Sequence, residues 1–306
     1  MARIVVCEFM DESAVAQLGS RHDVLYDPTL VDEPARLHAE AAHADAFIVR
    51  NRTQVRGALL AALARCRAIG RLGVGLDNID MPACAARGIE VIPATGANAL
   101  SVAEYVITAA LLLLRGAYRA SAEVAGGRWP RQALSNGREI GGKTLGLVGF
   151  GSIGRLTAKL AQGVGMNVIA HDAQLDAADP AFGHVRCVSL DELGASADVI
   201  SLHVPLLDST RRLFDAARIA AMKPGAVLIN TARGGVVDEA AVAAALRSGR
   251  LGGAALDVFD VEPLPAGSPL IDCPNLLLTP HIAGVTAESN QRVSALIAQR
   301  ILEVLG

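Results

Sequence analysis

The chain has 306 residues, 52% of them hydrophobic but only 3% aromatic, and a formal net charge of −3. That length supplies one large domain or two ordinary ones, with a core built mainly of Ala, Val, Leu and Ile. The slightly acidic balance argues against a nucleic-acid partner or an acidic membrane surface. No stretch reads as a transmembrane span, since the longest apolar candidate, Tyr105 to Leu114, is about half a span and follows Glu104. The N-terminus lacks the form of a signal peptide, because Glu8, Asp11 and Glu12 interrupt any apolar run. Five scattered cysteines without a C-x-x-C pair fit buried free thiols in a reducing cytoplasm. The seven histidines include no H-x-x-x-H pair and none clusters with the cysteines, so no metal site is expected.

In chain order, residues 1 to about 95 alternate strands and helices. Strands are predicted at Ile4–Val6, Val24–Tyr26, Ala46–Val49, Ala68–Arg71 and Ile89–Ile92. Helices are predicted from an Asp11-Glu12-Ser13 cap through Leu18, over Pro34–Ala42, from about Gly57 to Ala64, and over 81–87. A charged loop, Arg50-Asn51-Arg52-Thr53, follows the third strand, and the run Gly73 to Asp80 follows the fourth. This alternation with short loops implies a parallel sheet covered on both faces. From Asn98 to about Ala120 a long apolar helix is expected, joining two domains and offering a dimer face. Gly126 to Gly142 reads as loop, in which Trp129 is either a subunit anchor or a packed loop residue. A second β/α series follows, with strands near 144–149, 167–171, 185–188, 198–202, 226–230, 254–257 and 276–278. A closing helix over Thr286–Leu305 carries Val293, Leu296, Ile297, Ile301 and Leu305 at helical spacing.

Within the second series, Gly149, Gly151 and Gly154 stand in G-x-G-x-x-G register between an apolar run and a helix opening at Ser152-Ile153. The first glycine permits the tight turn, the second lets backbone approach a pyrophosphate, and the third packs helix on strand. The helix N-terminus then offers free N–H groups to phosphates. A second apolar run, Val168 to His171, ends at Asp172, about 20 positions on, where a carboxylate accepts the ribose 2′-OH. That carboxylate repels a 2′-phosphate, and Ala173 and Gln174 supply no compensating cation, so NAD is expected over NADP. The bland alternative is an ordinary βαβ turn. Because the fingerprint lies mid-chain, the first half must be a separate domain supplying substrate contacts. The expected division is 1–97 plus 284–306 for the substrate domain and 98–283 for the dinucleotide domain, with a cleft between them.

Three further residues follow predicted strand ends: Arg233 after Val227–Ala232, Glu262 after Ala255–Val261, and His281 after Leu276–Pro280. Ligands of open α/β sheets bind outside the carboxyl ends of strands. Hydride transfer to a 2-oxo acid needs a cation for the substrate carboxylate, and a guanidinium binds it bidentately. It also needs an acid for the developing alkoxide, a role that suits histidine, and a carboxylate behind the imidazole can orient it. Spacing alone leaves open a structural histidine and a surface arginine.

The fingerprint, Asp172, His203-Val204-Pro205, Asn230-Thr231-Ala232-Arg233-Gly234, Leu256-Asp257-Val258-Phe259 with Glu262-Pro263, and Thr279-Pro280-His281-Ile282-Ala283-Gly284 occur in this order along the chain. Together with Gly73–Asp80 and Asn98–Glu104, they resemble the D-isomer-specific 2-hydroxyacid dehydrogenases over nearly the whole chain. The resemblance is strongest to the D-3-phosphoglycerate dehydrogenase branch without its regulatory extension. It implies an α/β protein of two Rossmann-like domains, each a doubly wound, mostly parallel sheet. Arg233 would bind the substrate carboxylate and polarise the carbonyl, His281 would be the general acid/base, and Glu262 its partner. Asp257 would hold the nicotinamide carboxamide. Ser152, Ile153, His203, Pro205, Thr210, Thr231, His281 and Gly284 would line the NAD groove. Backbone N–H groups at Val74 and Gly75 would take the substrate carboxylate, and Asn51 and Arg52 would face the substrate's far end. In the related formate dehydrogenases the histidine's partner is a glutamine, so Glu262 favours hydroxyacid chemistry. A small residue is commoner at position 52 in the phosphoglycerate branch. Arg52 with Arg233 suits a small anionic substrate with two acidic ends, such as 3-phosphoglycerate or sulfolactate, unless Arg52 is a solvated loop charge. The alternatives are a hydroxypyruvate or glyoxylate reductase and a non-catalytic NAD-sensing binding protein. A cytoplasmic homodimer is expected.

Overall fold

The computed structural model describes residues 1–306. Its first strands and helices are β1 (Arg3–Val6), α1 (Glu12–Gly19), β2 (Asp23–Tyr26), α2 (Pro34–Ala41), β3 (Ala46–Val49), α3 (Gly57–Ala62), β4 (Ala68–Arg71), α4 (Met81–Ala86) and β5 (Glu90–Pro93). Then come α5 (Ala99–Arg115), α6 (Ser121–Ala125), β6 (Thr144–Val148), α7 (Ser152–Gly163), β7 (Asn167–His171), β8 (Arg186–Cys187), α8 (Leu190–Ser196) and β9 (Val199–Leu202). The chain closes with α9 (Ala216–Ala221), β10 (Ala226–Asn230), α10 (Glu239–Arg247), β11 (Leu251–Leu256), β12 (Leu276–Leu278) and α11 (Ala287–Leu305). Residues 1–98 with 285–306 form one compact unit, and 99–284 form another.

The first unit is a five-stranded sheet, ordered β2-β1-β3-β4-β5, in which every ladder is parallel. Strand β3 is buried at all four positions because helices cover both faces. One face packs Phe47 and Ile69 against Leu37, Leu59, Leu60 and Leu63. The other packs Ile4, Val6, Ile48 and Ala68 against α1 and α11, through Leu18, Ile297 and Ile301. Gly70 lets α11 settle this closely, since a Cβ there would meet Ile297 Cγ2 at 2.6 Å. The helix is started by a capping box in which the Thr286 hydroxyl accepts from the Ser289 N–H.

The second unit is a seven-stranded sheet, ordered β12-β11-β10-β9-β6-β7-β8, again parallel throughout. The chain runs outward from β6 through β7 to β8, then returns to β9 on the other side of β6. That reversal is the switch point at which such sheets bind ligands. Leu145, Leu147, Val227 and Ile229 pack on α5 through Val106, Ala110 and Leu113. Leu193, Ile200, Leu228 and Leu246 fill the opposite face.

The structure corrects two predicted elements. The helix expected to reach Ala120 ends at Arg115, because Gly116 takes a left-handed conformation at φ +67 and a 3-10 turn, Ala117–Ala120, follows. The strand expected near 254–257 begins at Leu251 and includes Gly252 and Gly253. A Cβ on Gly252 would overlap the Gly225 carbonyl, and one on Gly253 would meet Asn275 Nδ2 at 2.5 Å, so glycine here serves close approach within a strand. No single helix is long and apolar enough to cross a membrane.

Candidate active site

The glycine turn joins β6 to α7. Gly149 has φ +95 and lies over the His203 carbonyl, where a Cβ would stand 2.5 Å from that oxygen. Gly154 packs against the Gly149 carbonyl with no room for a side chain. Gly151 caps α7 ahead of Ser152 and Ile153, and no atom lies within 4 Å of where its Cβ would be. A backbone that must admit a pyrophosphate needs that open space. Asp172 stands at the end of β7 beside the turn. Its Oδ2 accepts the Phe150 N–H at 2.7 Å and its Oδ1 accepts the Gln174 N–H at 2.8 Å. These two N–H groups fix the carboxylate beside the glycine turn.

The loop after β9 carries His203, Pro205 and Thr210. The Thr210 hydroxyl donates to the Pro205 carbonyl at 2.6 Å and accepts from the Leu207 N–H at 2.8 Å, which folds the loop back on itself. His203 Nε2 meets the Ser201 hydroxyl at 3.0 Å, and burial pushes its pKa down to about 4, so its ring is neutral near pH 7. After β10, the Thr231 hydroxyl is buried with no protein partner. An orphaned hydroxyl, an open glycine turn and a fixed carboxylate at the carboxyl ends of strands in one sheet fit a dinucleotide such as NAD.

Three adjacent strands, β10, β11 and β12, deliver the chemical trio. Beyond β10, the buried Asn230 side chain accepts from the Ala232 N–H at 3.0 Å and donates to the Arg233 carbonyl at 2.9 Å, shaping the turn that carries Arg233. Gly234 has no space for a Cβ against the Phe259 carbonyl, so this turn presses on the chain leaving β11. There Glu262, followed by a cis peptide to Pro263, accepts the Phe259 N–H at 3.0 Å through Oε1. Its Oε2 lies 2.8 Å from His281 Nδ1. Both side chains are about a third exposed, at 35% and 38%, so the pair is open to a reactant.

His281 sits at φ +57, the left-handed region. Its N–H donates to the Asp257 carbonyl at 2.8 Å. The buried Asp257 carboxylate accepts from the Thr279 hydroxyl at 2.6 Å and from the N–H groups of Ile282 and Ala283, each at 2.8 Å. Because the Thr279 proton goes to Asp257, the Tyr105 hydroxyl, 2.6 Å away, donates to Thr279. Asp257 therefore gathers the turn from Thr279 to Ala283, just before Gly284, and presents His281 to Glu262. Sequence reasoning did not find this work for Asp257, nor the parts of Tyr105, Thr279 and Asn230.

The predicted substrate contacts other than Arg233 lie in the first unit. Asn51 and Arg52 are exposed in the loop after β3, and the Arg52 guanidinium pairs with Asp32. That pairing holds the Asp32 carboxyl below its ordinary range. Val74 and Gly75 follow β4 in the loop that opens with Gly73 at φ +155, over which the Arg71 guanidinium folds.

Residues 107–283 match the family model described as D-isomer specific 2-hydroxyacid dehydrogenase, NAD binding domain. The chain is 54% identical to an (S)-sulfolactate dehydrogenase of Chromohalobacter salexigens, over all of this chain and 99% of that one. It is 39% identical to a D-3-phosphoglycerate dehydrogenase of Mycobacterium leprae over 97% of its own length, while spanning 56% of that longer protein. Among solved structures, an NAD-dependent formate dehydrogenase of Staphylococcus aureus in complex with NAD superposes with a TM-score of 0.84 at 28% identity, covering all of this chain and 96% of that one.

Proposed function

Because the chain belongs to the D-isomer-specific 2-hydroxyacid dehydrogenases, an NAD-dependent family, we propose that its own substrate is a 2-hydroxyacid bearing a second strong anion, with sulfolactate first and 3-phosphoglycerate second. The observation that carries the chemistry is the 2.8 Å contact of Glu262 with His281 Nδ1, one strand away from Arg233. With Nδ1–H donated to Glu262, His281 Nε2 is the basic nitrogen and takes the substrate's hydroxyl proton. Arg233 holds the C1 carboxylate and polarises the C2 oxygen. Bound NAD supplies the acceptor for the hydrogen and electron pair leaving C2. In the reverse direction protonated His281 returns its proton to the oxygen at C2. Asp172 would hold the cofactor's ribose, Thr231 would line its groove and Asp257 would hold the nicotinamide carboxamide, while the backbone at Val74 and Gly75 meets the substrate carboxylate. Likeness to the sulfolactate enzyme over full length supports the sulfonate over the phosphate.

The test is NADH formation across lactate, glycerate, malate, 3-phosphoglycerate and both sulfolactate enantiomers, each with NAD and NADP. Turnover of a sulfonate- or phosphate-bearing acid with NAD, at least about tenfold better in kcat/KM than lactate, is the expected result. A preference for small monoacids defeats the substrate reading. NADH binding without turnover of any acid defeats the enzymatic one.

We further propose a homodimer through α5 and the loop beyond it, where Leu111, Tyr118, Val124 and Trp129 are exposed, Trp129 at 77%. Light scattering on the eluted protein should give twice the chain mass, and a monomer at micromolar concentration removes the proposal. The five free thiols support the cytoplasm as its compartment.

A further inference from the structure

The loop that follows β3 holds two arginines in unlike settings. Arg52 is exposed and neutralised by Asp32. Arg50 is half-buried, and its guanidinium has neutral neighbours: Nη2 donates to the Asn290 side-chain carbonyl at 2.8 Å, and the group lies 5.7 Å from the centre of the Phe9 ring. Burial lowers its pKa, with only the more distant Glu8 charge opposing that effect. A cation taken partly out of water without a paired carboxylate is a standing attraction for an anion.

The loop is also fixed before any ligand arrives. Strand β1 pairs with β3, Val6 beside Ile48, so Glu8 lies level with Arg50. The Glu8 carboxylate is buried and spends both oxygens on the loop. Oε1 accepts the N–H groups of Arg50 at 2.8 Å and Thr53 at 3.1 Å, and Oε2 accepts that of Arg52 at 3.1 Å. From the other side, Asn78 Nδ2 donates to the carbonyls of Arg50 at 3.1 Å and Thr53 at 2.7 Å. Asn78 belongs to the same run as Val74 and Gly75. Val49 also lies beside Arg71 in the β3–β4 ladder, so Arg50 is next to the start of the carboxylate-binding loop.

We propose that Glu8 is a positioning residue that sets substrate preference by clamping loop 50–53, so that Arg50 rather than Arg52 meets the sulfonate or phosphate. This rests on the reading that the substrate carries two anions. Its logic is preorganisation: the ordering of the backbone is completed during folding, so the anion meets a fixed guanidinium.

The experiment measures kcat and KM for sulfolactate and lactate in the wild type, Arg50→Gln, Arg52→Gln, Glu8→Gln and the double variant of Arg50 and Glu8. Arg50→Gln should raise the KM for sulfolactate on the order of 30- to 100-fold, the loss of one charge-assisted contact, and that for lactate far less. Arg52→Gln should raise it less than Arg50→Gln does. Glu8→Gln should raise it about tenfold, mainly in KM, and add almost nothing once Arg50 is already glutamine. An equal effect of Glu8→Gln on both acids, or an undiminished effect in the Arg50→Gln background, reduces Glu8 to a structural part and overturns the proposal. So does a sulfolactate preference that resides in Arg52. Should Glu8→Gln fail to fold, Asn78→Ala reads the other half of the clamp and must give the same selective rise. Inhibition by 3-sulfopropionate, which has both charges and no hydroxyl, is measured against whichever acid is turned over. A wild-type preference for lactate sinks the substrate reading, whereas an inhibition constant unchanged by Arg50→Gln sinks the anion site itself.

Discussion

His281 is held at φ +57, a conformation that costs a residue with a Cβ on the order of 1 kcal/mol and persists only where its surroundings impose it. Here they do so through one buried carboxylate, Asp257, with donors on both sides of the histidine. The imidazole's position is thus built into the backbone, and Glu262 has only to fix the ring's rotation and tautomer. His281→Asn should therefore lower kcat by about 10²- to 10⁴-fold with little change in NADH affinity. Glu262→Gln keeps an acceptor for Nδ1–H but removes the charge, and should fall between that variant and the wild type. Stopped-flow turnover with fluorescence titration of NADH separates the two effects, and a Glu262→Gln enzyme as slow as His281→Asn would contradict this division of labour.

At the scale of elements, residues that act through their neighbours in sequence were legible, and those that act across the sheet were not. Gly149, Gly151 and Gly154 could be read because a strand, a tight turn and a helix follow one another directly, and each glycine answers a backbone demand within that run. The order of strands and helices was legible for the same reason. The end of α5 was not, because Ala117, Tyr118 and Ala120 continue the apolar pattern and one left-handed glycine overrides it. Strand β11 was read short because Gly252 and Gly253 signal a turn, whereas their smallness lets Gly225 and Asn275 come close. The trio could be placed at strand ends, but spacing alone could not join it, and the family resemblance supplied that step. Glu8 lies 42 residues before Arg50, and Tyr105 lies 174 before Thr279. No local pattern announces such a pair, since its meaning comes from strand order.

At the scale of the whole molecule, the half-buried His203 ties stability to pH. Its pKa is about 4 in the fold against 6.5 for the ordinary group. As pH falls, the unfolded chain takes up this proton first, so the contribution is complete above about 6.5, is lost between there and 4, and is absent below. His203→Gln removes that contribution, so its Tm should fall less than that of the wild type across the window. The wild type's extra loss should be at most about 3 kcal/mol, the equivalent of the pKa difference. Parallel losses in both proteins would show that other groups govern acid unfolding.

Helix α11 closes the unit that begins at residue 1, although it is made after the entire second unit. During synthesis, the 186 residues from 99 to 284 separate β1–β5 from the helix that covers Ile48 and Ala68. At ~5–20 residues per second, that interval is about 10–40 s. The seven-stranded unit can be complete at the ribosome while the sheet that began first still has part of one face, the part beyond α1, uncovered. The nascent chain's exposure to chaperones and to its own neighbours is therefore set by gene order, and it ends with the last helix.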